Sequence, residues 1–231
     1  MIAYNSRITT SGLINLWDAK NPKSYPGSGA TWTDMVAGVP LTIVGGVTYD
    51  PNGFFSFGTN QTTQSIINAA FPFPTQNSTV ECWFRFRSNA QWQVPYSYQV
   101  GTVNTNSYLT MIDSTTLIFF INGTSTSLPI SSNTNVWYNI TRTRTMSTGL
   151  NSVYVNGVMF GQSTIGVGAV VPSGGIMAIG QEPDADAATN YGFDSSQNLD
   201  GEFAYMGIYD RALTDDEVMN NFIAMRGRYS V

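Results

Sequence analysis

The sequence predicts an all-β molecule, a two-sheet antiparallel β-sandwich with one short C-terminal helix. Three observations predict it. About a dozen short apolar runs are separated by clusters of Gly, Asn and Ser, the spacing of a sandwich or barrel. Only 11% of the 231 residues are charged while 42% are apolar. The surface is therefore built from Ser, Thr, Asn and Gln, which suit strands and tight turns better than exposed helices. Finally, one helix signal stands near the end. No internal repeat or low-complexity linker divides the chain, so residues 1–11 read as an N-terminal arm and residues 12–231 as one domain.

The elements follow in order. Residues 12–17, 41–44 and 54–57 are the first strand candidates, with SYPGSG at 24–29 a surface loop. Residues 79–87, TVECWFRFR, alternate most clearly: Val80, Cys82, Phe84 and Phe86 take one face and Glu81, Arg85 and Arg87 the other. Trp83 shares the second face. Residues 91–98, QWQVPYSY, read as a loop that joins aromatics and amides. The run at 117–121 ends in Asn122-Gly123, and SVYV at 152–155 ends in Asn156-Gly157 before VMF. An Asn-Gly pair between such runs predicts a type I′ hairpin, because both residues tolerate positive φ. Residues 108–112, 136–143, 175–179 and 202–209 complete the strands. At the helix, Thr214 and Glu217 form a capping box, Asp215 and Asp216 add charge that the helix dipole favours, and Leu213 and Val218 are spaced as a hydrophobic staple. Val218, Phe222 and Met225 make one apolar stripe, and Arg226-Gly227 reads as a stop with a left-handed glycine.

Composition excludes several functions. The net charge is −5 with no basic run, so nucleic acid is not expected as a partner. The chain has no His, which removes His-based acid–base chemistry, the Ser-His-Asp triad and most catalytic zinc sites. Cys82 is the single cysteine; on an apolar strand face it reads as a buried structural thiol, with no intrachain disulfide. The N-terminus has no signal-peptide core and no stretch is long and apolar enough for a transmembrane helix, so synthesis in the cytosol without secretion is expected. The sequons at Asn60, Asn77, Asn122 and Asn139 are then expected to be unmodified.

The segment from Ile179, IGQEPDADAATNYGFDSSQNLDGEFAYMGIYDRALTDDEV, resembles the pentraxin and laminin-G-like members of the concanavalin A-like jelly-roll families. In these a GQE-x-D segment is followed by a short loop, an S-x-Q piece, a strand ending in aromatic-D/N-x-x-L, and a helix beginning S/T-x-x-E. The corresponding pieces are Gly180-Gln181-Glu182, Asp184, SSQ at 195–197, Gly201-Glu202, Tyr209-Asp210, Leu213 and Thr214 with Glu217. The front end, GLINLWDAKNPKSYPGSGATWTDMVAG, resembles laminin-G-like structural proteins of tailed phages. GFFSFG at 53–58, running into Gly58-Thr59-Asn60, resembles the family's next strand and turn.

The resemblance to pentraxins implies a calcium site made by Glu182, the backbone carbonyl of Pro183, Asp184, Asp194 and Gln197. The residues support it separately: Glu182, Asp184, Asp186, Asp194 and Asp200 are five of the chain's fifteen acidic groups, and a cation relieves their repulsion. The sequence departs from the pattern in a longer loop between Asp184 and Asp194. A pentraxin Asp-Asn pair is replaced near Asn104-Thr105-Asn106, with no carboxylate, and Cys82 has no partner for the pentraxin disulfide. Related glucanases present E-x-D-x-x-E; here Glu182 and Asp184 are followed by Ala187, so the carboxylate pair of a retaining hydrolase is incomplete. No enzymatic activity is expected. For sugar binding without cleavage the candidates are Trp83, Trp92, Tyr96, Tyr98 and Tyr191, with Trp32 and Trp137 also available.

Together these readings predict a non-enzymatic structural protein on a virion surface: a capsid decoration, fibre or tail-associated protein. It is expected as a homo-oligomer that contacts neighbouring capsid subunits, with residues 1–11 as an arm and an outward face open to glycans. The alternative is a free calcium-dependent, carbohydrate-binding lectin-like module.

Overall fold

The computed structural model describes residues 7–59, 61–101, 106–184 and 192–231. Two antiparallel sheets of eight strands are stacked. The first holds β1 (Leu13–Asp18), β4 (Thr48–Asp50), β5 (Phe54–Phe57), β7 (Ser78–Phe86), β12 (Tyr138–Thr145), β13 (Leu150–Val155), β14 (Val158–Thr164) and β16 (Gly201–Tyr209). Its order is β14-β13-β12-β7-β16-β5-β4. β16 offers one edge to two strands in turn: β5 pairs with Gly201 to Phe203 and β1 with Tyr205 to Tyr209. The second sheet holds β2 (Thr31–Thr33), β3 (Pro40–Val44), β6 (Ser65–Phe71), β8 (Gln93–Gln99), β9 (Tyr108–Ile112), β10 (Thr116–Ile121), β11 (Thr124–Pro129) and β15 (Gly175–Ile179), in the order β11-β10-β9-β8-β15-β6-β3-β2. This is the all-β sandwich the sequence predicts.

The core lies between the sheets. Val80, Cys82, Phe84 and Phe86 of β7 are all buried and share one apolar cluster with Tyr96, Tyr98, Phe119, Met177 and Ile179 of the second sheet. Each large apolar side chain buried there stabilises the fold by roughly 1.5–3 kcal/mol. Burial pushes the Cys82 thiol well above its ordinary range, so it is the inert structural thiol expected. Both Asn-Gly turns form as predicted: Asn122, Gly123, Asn156 and Gly157 all have positive φ.

One core feature has no apolar signature. Arg142 of β12 is fully buried. It donates to the carbonyls of Leu109 (2.9 Å) and Phe120 (3.0 Å) in the second sheet and to Asn151 Oδ1 (2.9 Å) in the first. Its guanidinium lies over the Tyr108 ring at 3.9 Å from the centroid. The side chain thus pins the two sheets together with charge-assisted hydrogen bonds.

Helix α1 (Asp215–Arg226) begins with the capping box of Thr214 and Glu217. Arg211 adds a bidentate ion pair to Glu217, at 2.7 and 2.6 Å. Val218, Phe222 and Met225 are buried as the periodicity predicts, and Leu213 clusters with Val218 as the staple requires. The C-terminal expectation needs correction. Gly227 is right-handed with φ −61°, and the left-handed residue is Ser230, at φ 58°; the left-handed turn comes three residues after the glycine.

The helix covers the outer face of the first sheet and the core takes up two rings of the second, so three aromatic assignments need correction. Trp83 is not an exposed face: it is 0% exposed, stacked on Tyr229 at 4.2 Å and Phe222 at 5.7 Å between ring centroids. Tyr96 and Tyr98 are not in a loop. The 91–98 stretch is mostly β8, and both rings point into the core, their hydroxyls bonded to Thr110 Oγ1 and to the Pro172 carbonyl. None of the three offers a face to a sugar. Trp32 is also fully buried, against Phe55 and Phe203. The described part of the arm, residues 7–11, is held by its own domain. Thr9 N donates to Asn221 Oδ1 (2.7 Å), the Tyr209 hydroxyl donates to the Thr9 carbonyl (3.0 Å), and Asn220 reaches the Arg7 carbonyl (2.8 Å).

Candidate functional site

The acidic segment leaves β15 at Gly180 and returns to β16 at Gly201. Gly180 is required there. Its φ is +84°, and a Cβ would stand 2.4 Å from the Phe57 ring. The turn that follows is pinned on several sides. Ser97 Oγ donates to the Gln181 carbonyl (2.7 Å), and Gln181 Nε2 reaches the Gln61 carbonyl (2.5 Å). Asn198 Nδ2 donates to the Gly58 carbonyl (3.0 Å), and Gln91 Nε2 donates to Asn198 Oδ1 (3.0 Å). Single β-bridges join Gln181 to Asn198 and Trp92 to Gln197. The two halves of the segment are therefore brought together by tertiary pairing.

Glu182 is 1% exposed, and among the described residues neither carboxylate oxygen has a hydrogen-bond donor; Gln181 Oε1 is buried in the same condition. Such a carboxylate is expensive to keep charged. Burial first, and then the negative charges of Asp184 and Asp194, push the Glu182 carboxyl up to about 7. Asp184 is raised by burial and by Asp194. Asp194 is lowered because the Ser196 N–H (2.7 Å) and hydroxyl (2.8 Å) both donate to its Oδ1. The Gln197 N–H donates to the Asp194 carbonyl (3.1 Å). Glu182, Pro183 and Asp184 thus follow the Gln181 bridge on one arm of the segment, while Asp194 and Gln197 lie on the returning arm, with the Asp194 charge near enough to act on Glu182. Among the described residues no three acidic, His or Cys groups stand close enough together to chelate a metal by themselves. Any cation held there draws on amide and carbonyl oxygens too, as calcium readily does. The donor-less Glu182 carboxylate fits such a cation.

Trp92 is half-buried beside Gln197 and packs on Val94, Leu109 and Met111 of the second sheet's outer face. Among the described candidate aromatics it is the one left accessible at this turn. Tyr191, Asp186, Ala187 and the 104–105 positions lie outside the described residues. Gln181 belongs to the GQE motif, yet the sequence carries no sign that its amide oxygen is buried without a donor. Only the return of residues 197–198 beneath it creates that condition.

Known proteins share this architecture. A family model described as the concanavalin A-like lectin/glucanases superfamily matches residues 57–219. Human neuronal pentraxin-1 is 29% identical over 144 residues, which are 62% of this chain and 32% of that protein. The rat sushi, von Willebrand factor type A, EGF and pentraxin domain-containing protein 1 is 27% identical over 143 residues, 4% of its length. The chain therefore spans a third or less of these curated relatives. Among solved structures, the heptameric SAP-like pentraxin of Limulus polyphemus superposes with a TM-score of 0.59 at 24% identity, over 74% of this chain and 82% of that one. The Trypanosoma rangeli sialidase in complex with sialic acid gives 0.71 at 15% identity, over 97% of this chain and 35% of that one. At such identities these likenesses show the fold.

Proposed function

Because the chain belongs to the concanavalin A-like lectin/glucanase superfamily, we propose that it is a non-enzymatic recognition module whose ligand site is the Glu182 turn. The observation that carries this reading is the buried Glu182 carboxylate without a donor. Calcium supplies the missing positive charge and a bridge to an oxygen-rich ligand when bound. Glu182, Asp184, Asp194, Gln197 and the Pro183 carbonyl would hold it. A glycan packs its apolar face on Trp92, with the amides of Gln91 and Gln197 at hand. Hydrolysis is not proposed, since Ala187 stands where the second carboxylate of a glucanase would be needed.

The front-end resemblance to phage structural proteins favours a setting on a virion surface, as an oligomeric decoration or tail-associated protein beside capsid subunits. The heptameric pentraxin likeness supports the homo-oligomer. Mass spectrometry of purified particles tests that setting, and absence from them removes it. For the site, thermal melting with calcium and with chelator decides. Saturation a hundredfold over Kd adds about 2.7 kcal/mol, a rise of roughly 5–10 °C in Tm for a domain of this size. The variant Glu182→Gln should abolish that rise. A wild-type Tm unchanged by calcium overturns the reading.

A further inference from the structure

A second site lies on the other sheet. Beside the C-terminal end of α1, a groove of about 670 Å³ opens on the outer face of the first sheet, lined among others by Lys20, Phe54, Arg85, Trp137, Arg228 and Tyr229. That volume falls in the range of small-molecule clefts. Its lining is richer in cations than the chain as a whole, two of them paired with the Glu202 and Asp18 carboxylates. On a chain of −5, the groove gathers three of the ten Lys and Arg residues and, among its lining, one of the fifteen acids, Asp50.

Arg85 is one of the three cations that line the groove. Its Nε donates to Glu202 (2.7 Å), and its guanidinium lies over the rings of Phe54 and Trp137, 5.5 and 5.3 Å from their centroids. The two terminal nitrogens make no hydrogen bond to any described residue. The ion pair and the rings hold the guanidinium in place, so a fork of N–H donors is left pre-organised for an external acceptor. Two further cations flank it with donors to spare. Lys20 Nζ gives one hydrogen bond, to the Pro51 carbonyl (2.8 Å), and Arg228 is aligned by a bidentate pair with Asp18 (2.8 and 2.7 Å). Phe54 and Trp137 are half-buried and stack edge-on at 5.8 Å. Their remaining apolar surface suits the C–H face of a sugar ring.

We infer that this groove binds an acidic saccharide, its carboxylate or sulfate taken by the Arg85 fork and its ring packed on Trp137 and Phe54. The site is independent of the Glu182 turn and of calcium. Titration calorimetry of the full chain with a hexuronate oligomer, a sulfated oligosaccharide and a neutral glucan of equal length tests it, each in calcium and in chelator. Binding is expected to the acidic oligomers alone, equally in chelator, and to weaken with salt. Whichever acidic oligomer binds tells carboxylate from sulfate recognition. Arg85→Gln and Trp137→Ala should each weaken binding at least tenfold. Arg85→Lys should restore little, since it keeps the charge and loses the fork. If Arg85→Gln fails to fold by circular dichroism, Arg228→Gln serves, with a smaller loss expected. Equal binding of the neutral glucan, no binding of either acidic oligomer, or full binding by the folded variants overturns the inference. Binding abolished by chelator overturns it too, and assigns the saccharide to the Glu182 turn instead.

Discussion

Glu81 provides a direct test of how the helix sits on the sheet. It lies on β7, 0% exposed beneath α1. Its Oε1 accepts from Asn139 Nδ2 (3.0 Å) and its Oε2 from Asn221 Nδ2 (2.8 Å). Among the described residues no Lys or Arg pairs with it. Burial outweighs the two amide donors and raises the carboxyl from 4.5 to about 7. The sign follows from linkage. The folded state holds this proton more tightly than the unfolded state, so the stability it carries is complete below the unfolded value and is lost as pH rises through the folded one. The full difference is about 3 kcal/mol, and most of it falls between about pH 5 and about pH 8. Glu81→Gln mimics the protonated form. Asn139 can turn its amide to accept from the new NH₂ group, while Asn221 keeps its present orientation, fixed by Thr9 N (2.7 Å). Near pH 5 the variant should lie within about 1 kcal/mol of wild type. Near pH 8 it should be the more stable protein. Glu182 titrates in the same direction, so the variant keeps part of the slope. Urea unfolding across this range measures it. Parallel curves for the two proteins would show that water reaches Glu81 and that the helix does not seal the face.

Three further outcomes are expected. Arg142→Met should lose about 3 kcal/mol in urea melts, because the bonds to the Leu109 and Phe120 carbonyls are lost and buried Asn151 Oδ1 loses its Arg142 donors; a loss below 1 kcal/mol would mean the sheets do not depend on that clamp. Gly180→Ala should destabilise by about 3 kcal/mol through its positive φ and the Phe57 contact. It should also shrink the calcium-induced rise in Tm, since Glu182 lies two residues on; an unchanged Tm and calcium response would refute the rigid turn. Thr214→Ala should lose about 1 kcal/mol with its N-cap bond to Glu217, read by thermal melting monitored at helix wavelengths.

What the sequence determined by itself is what local physics encodes. The strand at 79–87, the two Asn-Gly turns and the capping box each need only a few neighbouring residues, and each forms as predicted, although β7 is buried on both faces and not on one. The resemblance added the end-to-end order and the Glu182 turn. Tertiary structure decided which faces meet. β8 reads as a loop because all seven residues are buried, which erases the period of two, and because Pro95 sits where its pairing with β9 slips register. β6 and β11 escape notice because more than half of their residues are small or polar. Trp83 and Glu81 share the face of β7 that alternation assigns to solvent; a helix more than 130 residues later in the chain covers both. Nothing in the sequence singles out Arg142 as a core residue, yet facing carbonyls from the second sheet draw it into the core. The same logic separates motif from site at Glu182. The motif is written in GQEPD, but whether its carboxylate meets water, a donor or neither depends on residues 197–198 folding back beneath it, a pairing that no spacing in the sequence records.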